Sequence, residues 1–234
     1  MLYERNFQAL LLATVLPPLG STLISPILDS LIGAFGTSAA DIGLIISVYT
    51  APSIAVIPLA GVISDRFGRK PVLVPALVLF GLAGILITLT TDFRIVLALR
   101  FLQGIGFGGC MPIIITSIGD LYQASDETTA QGLRLAGAGL ATTVLPFLSG
   151  VLVLIGWQYP FLMYAIAFPV AGIVFRWFDE PQSITSPPAS GDPSADSRLD
   201  SFVLLARQPP VLLTIIGRGL PTFVWIAFIT YNSL

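Results

Sequence analysis

Two groups of ionisable residues stand out because their surroundings are wrong for ordinary surface charge. One is a tight set, Asp65, Arg66, Arg69 and Lys70, punctuated by Gly61, Gly68 and Pro71 and flanked by long apolar runs. The other is a scatter of single charges, Asp29, Arg100, Arg134 and Arg218, inside such runs. A charge among apolar residues is costly and persists where it pairs, binds or faces a water-filled path. These residues can therefore pair ions, carry protons or hold charged solutes. Bond-making chemistry is poorly served. There is no histidine, and Cys110 is the one cysteine. A zinc site of about four such ligands cannot be built, and no disulfide can close within the chain. With no paired catalytic carboxylates to add, the sequence argues against an enzyme, and no metal or cofactor is expected.

The elements that must position these charges are long and apolar. The 234 residues are 55% hydrophobic and 10% charged, with a mean hydropathy of +0.89. A soluble domain carries about 25% charged residues, so the expected surroundings are a lipid bilayer. A net charge of −2 offers no footprint for nucleic acid. A spanning helix needs about 20 mainly apolar residues. Six stretches qualify, near residues 8–35, 41–64, 71–90, 94–122, 129–155 and 159–178, and a seventh lies near 210–231. They are too long for strands and do not alternate, so the fold class is all-α, a polytopic bundle of about seven transmembrane helices. The first stretch far exceeds the roughly 7–15 residues of a signal-peptide core.

Three regions follow. Residues 1–178 form a six-helix bundle. Residues 179–208, with Pro187, Pro188, Gly191, Pro193 and several Ser and Asp, form a flexible linker. Residues 209–234 supply the first helix of a second, truncated bundle. With the amino terminus inside, the inner segments hold Arg5, Arg66, Arg69, Lys70, Arg176, Arg198 and Arg207, whereas the outer loops hold only Arg94. Such asymmetry places the amino terminus and the linker in the cytoplasm.

Periodicity places the polar residues on faces. Pro18, Ser21/Thr22, Ser25 and Asp29 recur every three or four positions on the first helix. On the fourth helix, Arg100, Gln103, Gly104 and Phe107 do the same. The fifth carries a thinner stripe, Arg134, Ala138, Thr142 and Ser149. These stripes predict an aqueous cavity, with Asp29 and Arg100 paired at similar depth and Arg134 near Asp126 and Glu127. In the loop, Gly61 predicts a close helix contact, Gly68 a turn at positive φ and Pro71 the first turn of a helix. Asp65 is a carboxylate among cations and needs a partner.

The run Gly61-x-x-x-Asp65-Arg66-x-Gly68-Arg69-Lys70 resembles the loop between the second and third helices of the major facilitator superfamily. Supporting matches are Gly20 and Pro26 in the first helix, Arg100-x-x-Gln103-Gly104-x-Gly106 and Asp120 in the fourth, and Trp157–Phe161 at the start of the sixth. The resemblance covers about residues 7–178 plus the following helix. It implies two six-helix bundles with a small-molecule site between them and alternating access by rocking. It also implies an inner gate in which Asp65 caps a helix of the other half and Arg69 pairs with Asp120. Function is then secondary transport at the plasma membrane, with protons as a coupling partner through Asp29 and Arg100.

The family's antiporter pattern is incomplete on the fifth helix, where Leu145 and Ser149 stand at glycine positions beside Pro146 and Gly150. A further departure is length, since about twelve helices are implied. A missing carboxy-terminal half, or a second copy of the chain, would be needed. The alternatives are a membrane scaffold without transport, or a half-transporter acting as an oligomer.

Overall fold

The computed structural model describes residues 4–180, within one unit running Met1–Ile184. The predicted seventh helix, most of the linker and Arg218 lie outside the described residues. Six helical stretches are long and apolar enough to cross a membrane: Arg5–Phe35, Ala39–Phe67, Lys70–Leu89, Phe93–Leu121, Ala124–Leu152 and Tyr159–Trp177. No strand occurs among the described residues. The chain is a multi-pass integral membrane bundle.

The bundle packs around its fourth span, which touches the first, second, third and fifth. Its buried side is rich in glycine: Gly104, Gly106, Gly108 and Gly109. A Cβ on Gly104 would run into the Tyr49 carbonyl of the second span, and one on Gly106 into the backbone of Ala76 and Phe80 in the third. Small residues let helix backbones approach closely where lipid offers no hydrophobic drive for association. Gly61 differs from expectation: a Cβ there would meet nothing within 4 Å among the described residues.

The first span is broken. It runs as α-helix over Arg5–Thr14 and Leu16–Thr22, tightens to a 3-10 turn at Ser25–Ile27 and resumes at Leu28–Phe35. Pro17, Pro18 and Pro26 lack the N–H that a continuous ladder needs. The helix ending at Thr22 leaves its last four carbonyls short of intrahelical donors. Ile27 N–H bonds Ile24 O at 3.0 Å, which also frees the Leu23 carbonyl. Exposed backbone is tolerated in a membrane where neighbours satisfy it, and this break is met by side chains from other spans.

Candidate functional site

At the end carrying the 65–70 loop, Gly68 sits at φ +101 and ends the second span, and its N–H bonds Ser64 O at 2.9 Å. Pro71 lies in the first turn of the third span. This turn folds Arg69 back over the end of the second helix, where it is 8% exposed. Arg69 Nη1 is 2.9 Å from Asp65 Oδ1, one helical turn earlier. Arg69 Nε donates to Asp120 Oδ2 of the fourth span at 3.1 Å. Nη1 also donates to Ser64 Oγ at 2.9 Å, and Ser64 passes its own proton to Gly61 O. One planar guanidinium thus ties two helices with its fork, a geometry that a lysine cannot reproduce. Asp65 and Asp120 retain 48% and 29% side-chain exposure, so both carboxylates keep free lone pairs.

Lys70 and Glu180 extend the network. Lys70 N–H donates to Glu180 Oε1 at 2.7 Å, placing a carboxylate on the amino end of the third span. That end carries partial positive charge and free N–H groups. Lys70 Nζ lies 5.4 Å from the centre of the Phe175 ring. Arg66 is exposed, and among the described residues it meets the ring of its neighbour Phe67, at 5.5 Å. Asp179 N–H bonds Asn6 Oδ1 at 3.0 Å, and Asn6 Nδ2 returns a bond to Asp179 O at 3.3 Å. The predicted linker therefore begins with two anchored residues. Tyr122 OH donates to Glu4 Oε2 at 2.6 Å, which holds the Glu4 carboxyl below its usual range. Burial, then the Glu4 contact, pushes the Tyr122 phenol up.

In the middle of the bundle, Arg100 is fully buried. Its Nη1 donates to Gly20 O at 3.2 Å, Gln103 Oε1 at 2.8 Å and Tyr164 OH at 3.2 Å. Tyr164 OH passes its proton to Leu19 O at 3.1 Å, and Gln103 Nε2 donates to Phe80 O at 3.2 Å. The Phe161 and Tyr164 rings lie 5.4 and 5.6 Å from the guanidinium carbon. Aromatic faces repay part of the cost of burying a cation. Arg100 Nε and Nη2 have no hydrogen-bond partner among the described residues. Ser149 Oγ of the fifth span donates to Leu23 O at 2.6 Å. The carbonyls freed by the broken first span are thus taken up by the fourth, fifth and sixth spans.

Three expectations are corrected here. Asp29 and Arg100 do not pair: Asp29 is exposed, whereas Arg100 is held at Gly20. Asp29 lies nine positions beyond Gly20, roughly 13 Å along the span at helical rise. Arg100, Gln103 and Ser149 do not line a cavity, since each is 0% exposed and serves backbone carbonyls or a neighbouring side chain. Arg134 donates from Nε to Gln131 Oε1 at 2.8 Å instead of meeting Asp126 or Glu127. Of the predicted polar face, Thr22 and Ser25 are half-buried, and Thr22 Oγ1 donates to Pro18 O at 2.7 Å. Thr142 is exposed and donates to Gly139 O at 2.8 Å. Sequence reasoning missed Glu180, Tyr164 and Ser64. Ser64 alone had a local signal, lying one turn before Gly68.

A family model for the Major Facilitator Superfamily matches residues 10–234. The bacillibactin exporter of Bacillus subtilis is 35% identical over 164 residues, covering 67% of this chain and 41% of that protein. The class H tetracycline resistance protein of Pasteurella multocida is 25% identical over 240 residues, covering 98% and 60%. A bacterial homolog of the human lysosomal transporter Spinster, inward-facing and unoccupied, superposes with a TM-score of 0.75 at 21% identity, over 97% of this chain and 54% of that one. The human organic anion transporter MFSD10 gives 0.67 at 20% identity, over 88% and 56%. These two structural likenesses bear on the fold alone. The chain spans about two to three fifths of the relatives' length.

Proposed function

The chain belongs to the major facilitator superfamily, and on that premise we propose that it is the amino-terminal part of a secondary transporter moving a small organic solute across the plasma membrane by alternating access. The observation that carries the reading is Arg69, which gathers Ser64, Asp65 and Asp120 at one end of the bundle. Gly61, Asp65, Arg66, Gly68, Arg69, Lys70 and Asp120 form the gate in this reading. Charge asymmetry puts that end, and the amino terminus, on the cytoplasmic side. Asp65 keeps an exposed oxygen to cap a helix of the second bundle, and Arg69 sets its orientation. Breaking the gate favours the state open to the cytoplasm, because a lost contact shifts the equilibrium by its differential free energy.

Two of the relatives, an exporter and a resistance protein, support export. Thr22, Ser25 and Asp29 stay uncovered enough to meet solute, with Asp29 as the proton carrier. Arg100 and Gln103 then act from behind this face, by fixing the break in the first span. The test is uptake into inverted proteoliposomes with and without a pH gradient. Asp29→Asn is expected to abolish pH-driven transport while retaining binding. Asp65→Asn is expected to raise thiol labelling at the cytoplasmic mouth. Unaltered pH dependence in the first variant removes the coupling role, and unaltered labelling in the second removes the gate.

A further inference from the structure

A groove of about 340 Å³ runs between the second and third spans, floored by the fourth. Its walls are Leu59 and Ile63 on one side and Val72 and Pro75 on the other, and its floor includes Gly106 and Gly109. Every lining residue is apolar or glycine. Leu59, Ile63 and Pro75 are exposed at its mouth, whereas the glycines beneath are buried. The depth comes from those glycines, which bring no side chain to fill the space.

The groove has a polar end. Leu59, Ile63 and Arg66 follow at spacings of four and three, so they share one stripe of the second helix. The stripe thus passes from apolar wall to exposed cation within one turn. Arg66 meets no carboxylate among the described residues; its contact is the Phe67 ring. On the other wall, Val72 stands two residues beyond Lys70, whose ammonium lies against the Phe175 ring while its backbone N–H meets Glu180. An apolar slot within the membrane, opening at one end beside the exposed Arg66 cation, matches an acyl chain joined to a phosphate. A second protein helix would not need the cation at its end, and a neutral lipid would not use it.

We propose that this groove is a binding site for an anionic phospholipid, with one acyl chain between Leu59/Ile63 and Val72/Pro75 and the phosphate on Arg66. Its occupancy places a lipid beside the loop that carries Arg69. The guanidinium offers a planar, bidentate match to phosphate oxygens, and a juxtamembrane cation gains attraction from an anionic leaflet.

The test is native mass spectrometry of the full chain, released from detergent after incubation with phosphatidylglycerol or phosphatidylcholine. Wild type is expected to retain one phosphatidylglycerol at least tenfold more than phosphatidylcholine. Ile63→Trp fills the mouth and is expected to lose the bound lipid, whereas Ile54→Trp, on the same helix outside the groove, keeps it. Arg66→Gln is expected to erase the preference for the anionic headgroup. Retention unchanged in Ile63→Trp, equal retention of both lipids, or none by wild type, as when another helix fills the groove, each overturns the site.

Discussion

The Glu180 carboxylate accepts the backbone N–H of Lys70 at 2.7 Å, so the last described residue beyond the sixth span caps the first turn of the third. The same carboxylate lies against Gly68, where an added Cβ would run into it. Losing a helix cap costs about 0.5–2 kcal/mol. Glu180→Ala should lower the unfolding temperature in detergent by a corresponding few degrees and speed amide exchange at Lys70. Glu180→Gln, which keeps an acceptor but not the charge, should fall between. Equal exchange at Lys70 in all three proteins would show that the carboxylate does not act as a cap.

Asp120 and Asp65 share Arg69 but should not be equivalent. Asp120 is the less exposed partner and joins different helices. Asp65 lies on the adjoining turn and is the more solvated of the two carboxylates, at 48% side-chain exposure against 29% for Asp120. An ion pair with a solvated partner contributes about 0.2–1 kcal/mol, whereas a hydrogen bond to a charged group in a less exposed site contributes about 1.5–3 kcal/mol. Asp120→Asn should therefore destabilise the bundle more than Asp65→Asn. Thermal unfolding of the two variants, read with Arg69→Lys as a reference, checks the order.

Arg100 and Tyr164 should be energetically coupled. Their hydroxyl–guanidinium bond is 3.2 Å long, and both serve adjacent carbonyls of the broken first span. Tyr164→Phe removes both bonds of the hydroxyl and leaves the Leu19 carbonyl to find another donor. A loss of about 1–3 kcal/mol is expected. Arg100→Met removes the buried charge but leaves the Gly20 carbonyl and Gln103 Oε1 without their donor, so a loss of at least similar size is expected. A double-mutant cycle should give a coupling of about 0.5–3 kcal/mol. Strict additivity would mean that the two act on the break independently.

The Glu4–Tyr122 bond makes a pH-dependent contribution with a definite sign. Hydrogen bonding from Tyr122 lowers the folded-state value of Glu4. Its contribution is then complete above the unfolded value, about 4.3, and is lost as pH falls through the lower folded value. Glu4→Gln should lower stability at neutral pH by the contribution it removes, and should converge with wild type in acid, flattening the curve below about pH 4.3. Unfolding temperature measured across that range, in wild type and variant, decides the matter.

Much of this protein was determined by its sequence alone. Apolar runs of fixed length dictate spanning helices, because lipid satisfies no backbone group. The order of Gly, Asp, Arg and Lys from Gly61 to Lys70 marks the family. Gly68 required a positive φ, and the chain adopts it there. These are local properties, carried by neighbours in the chain. Partnerships across the bundle were decided only by tertiary structure. Helical stripes put Asp29 and Arg100 on suitable faces but could not show that proline breaks in the first span free carbonyls nearer to Arg100 than the carboxylate is. Once freed inside a membrane, those carbonyls must be satisfied, and Arg100, Tyr164 and Ser149 are the donors within reach. Glu180 was equally hidden. It lies 110 residues from Lys70, in a segment that composition assigns to a linker, and only the packing of the third span against the sixth brings it to that helix end.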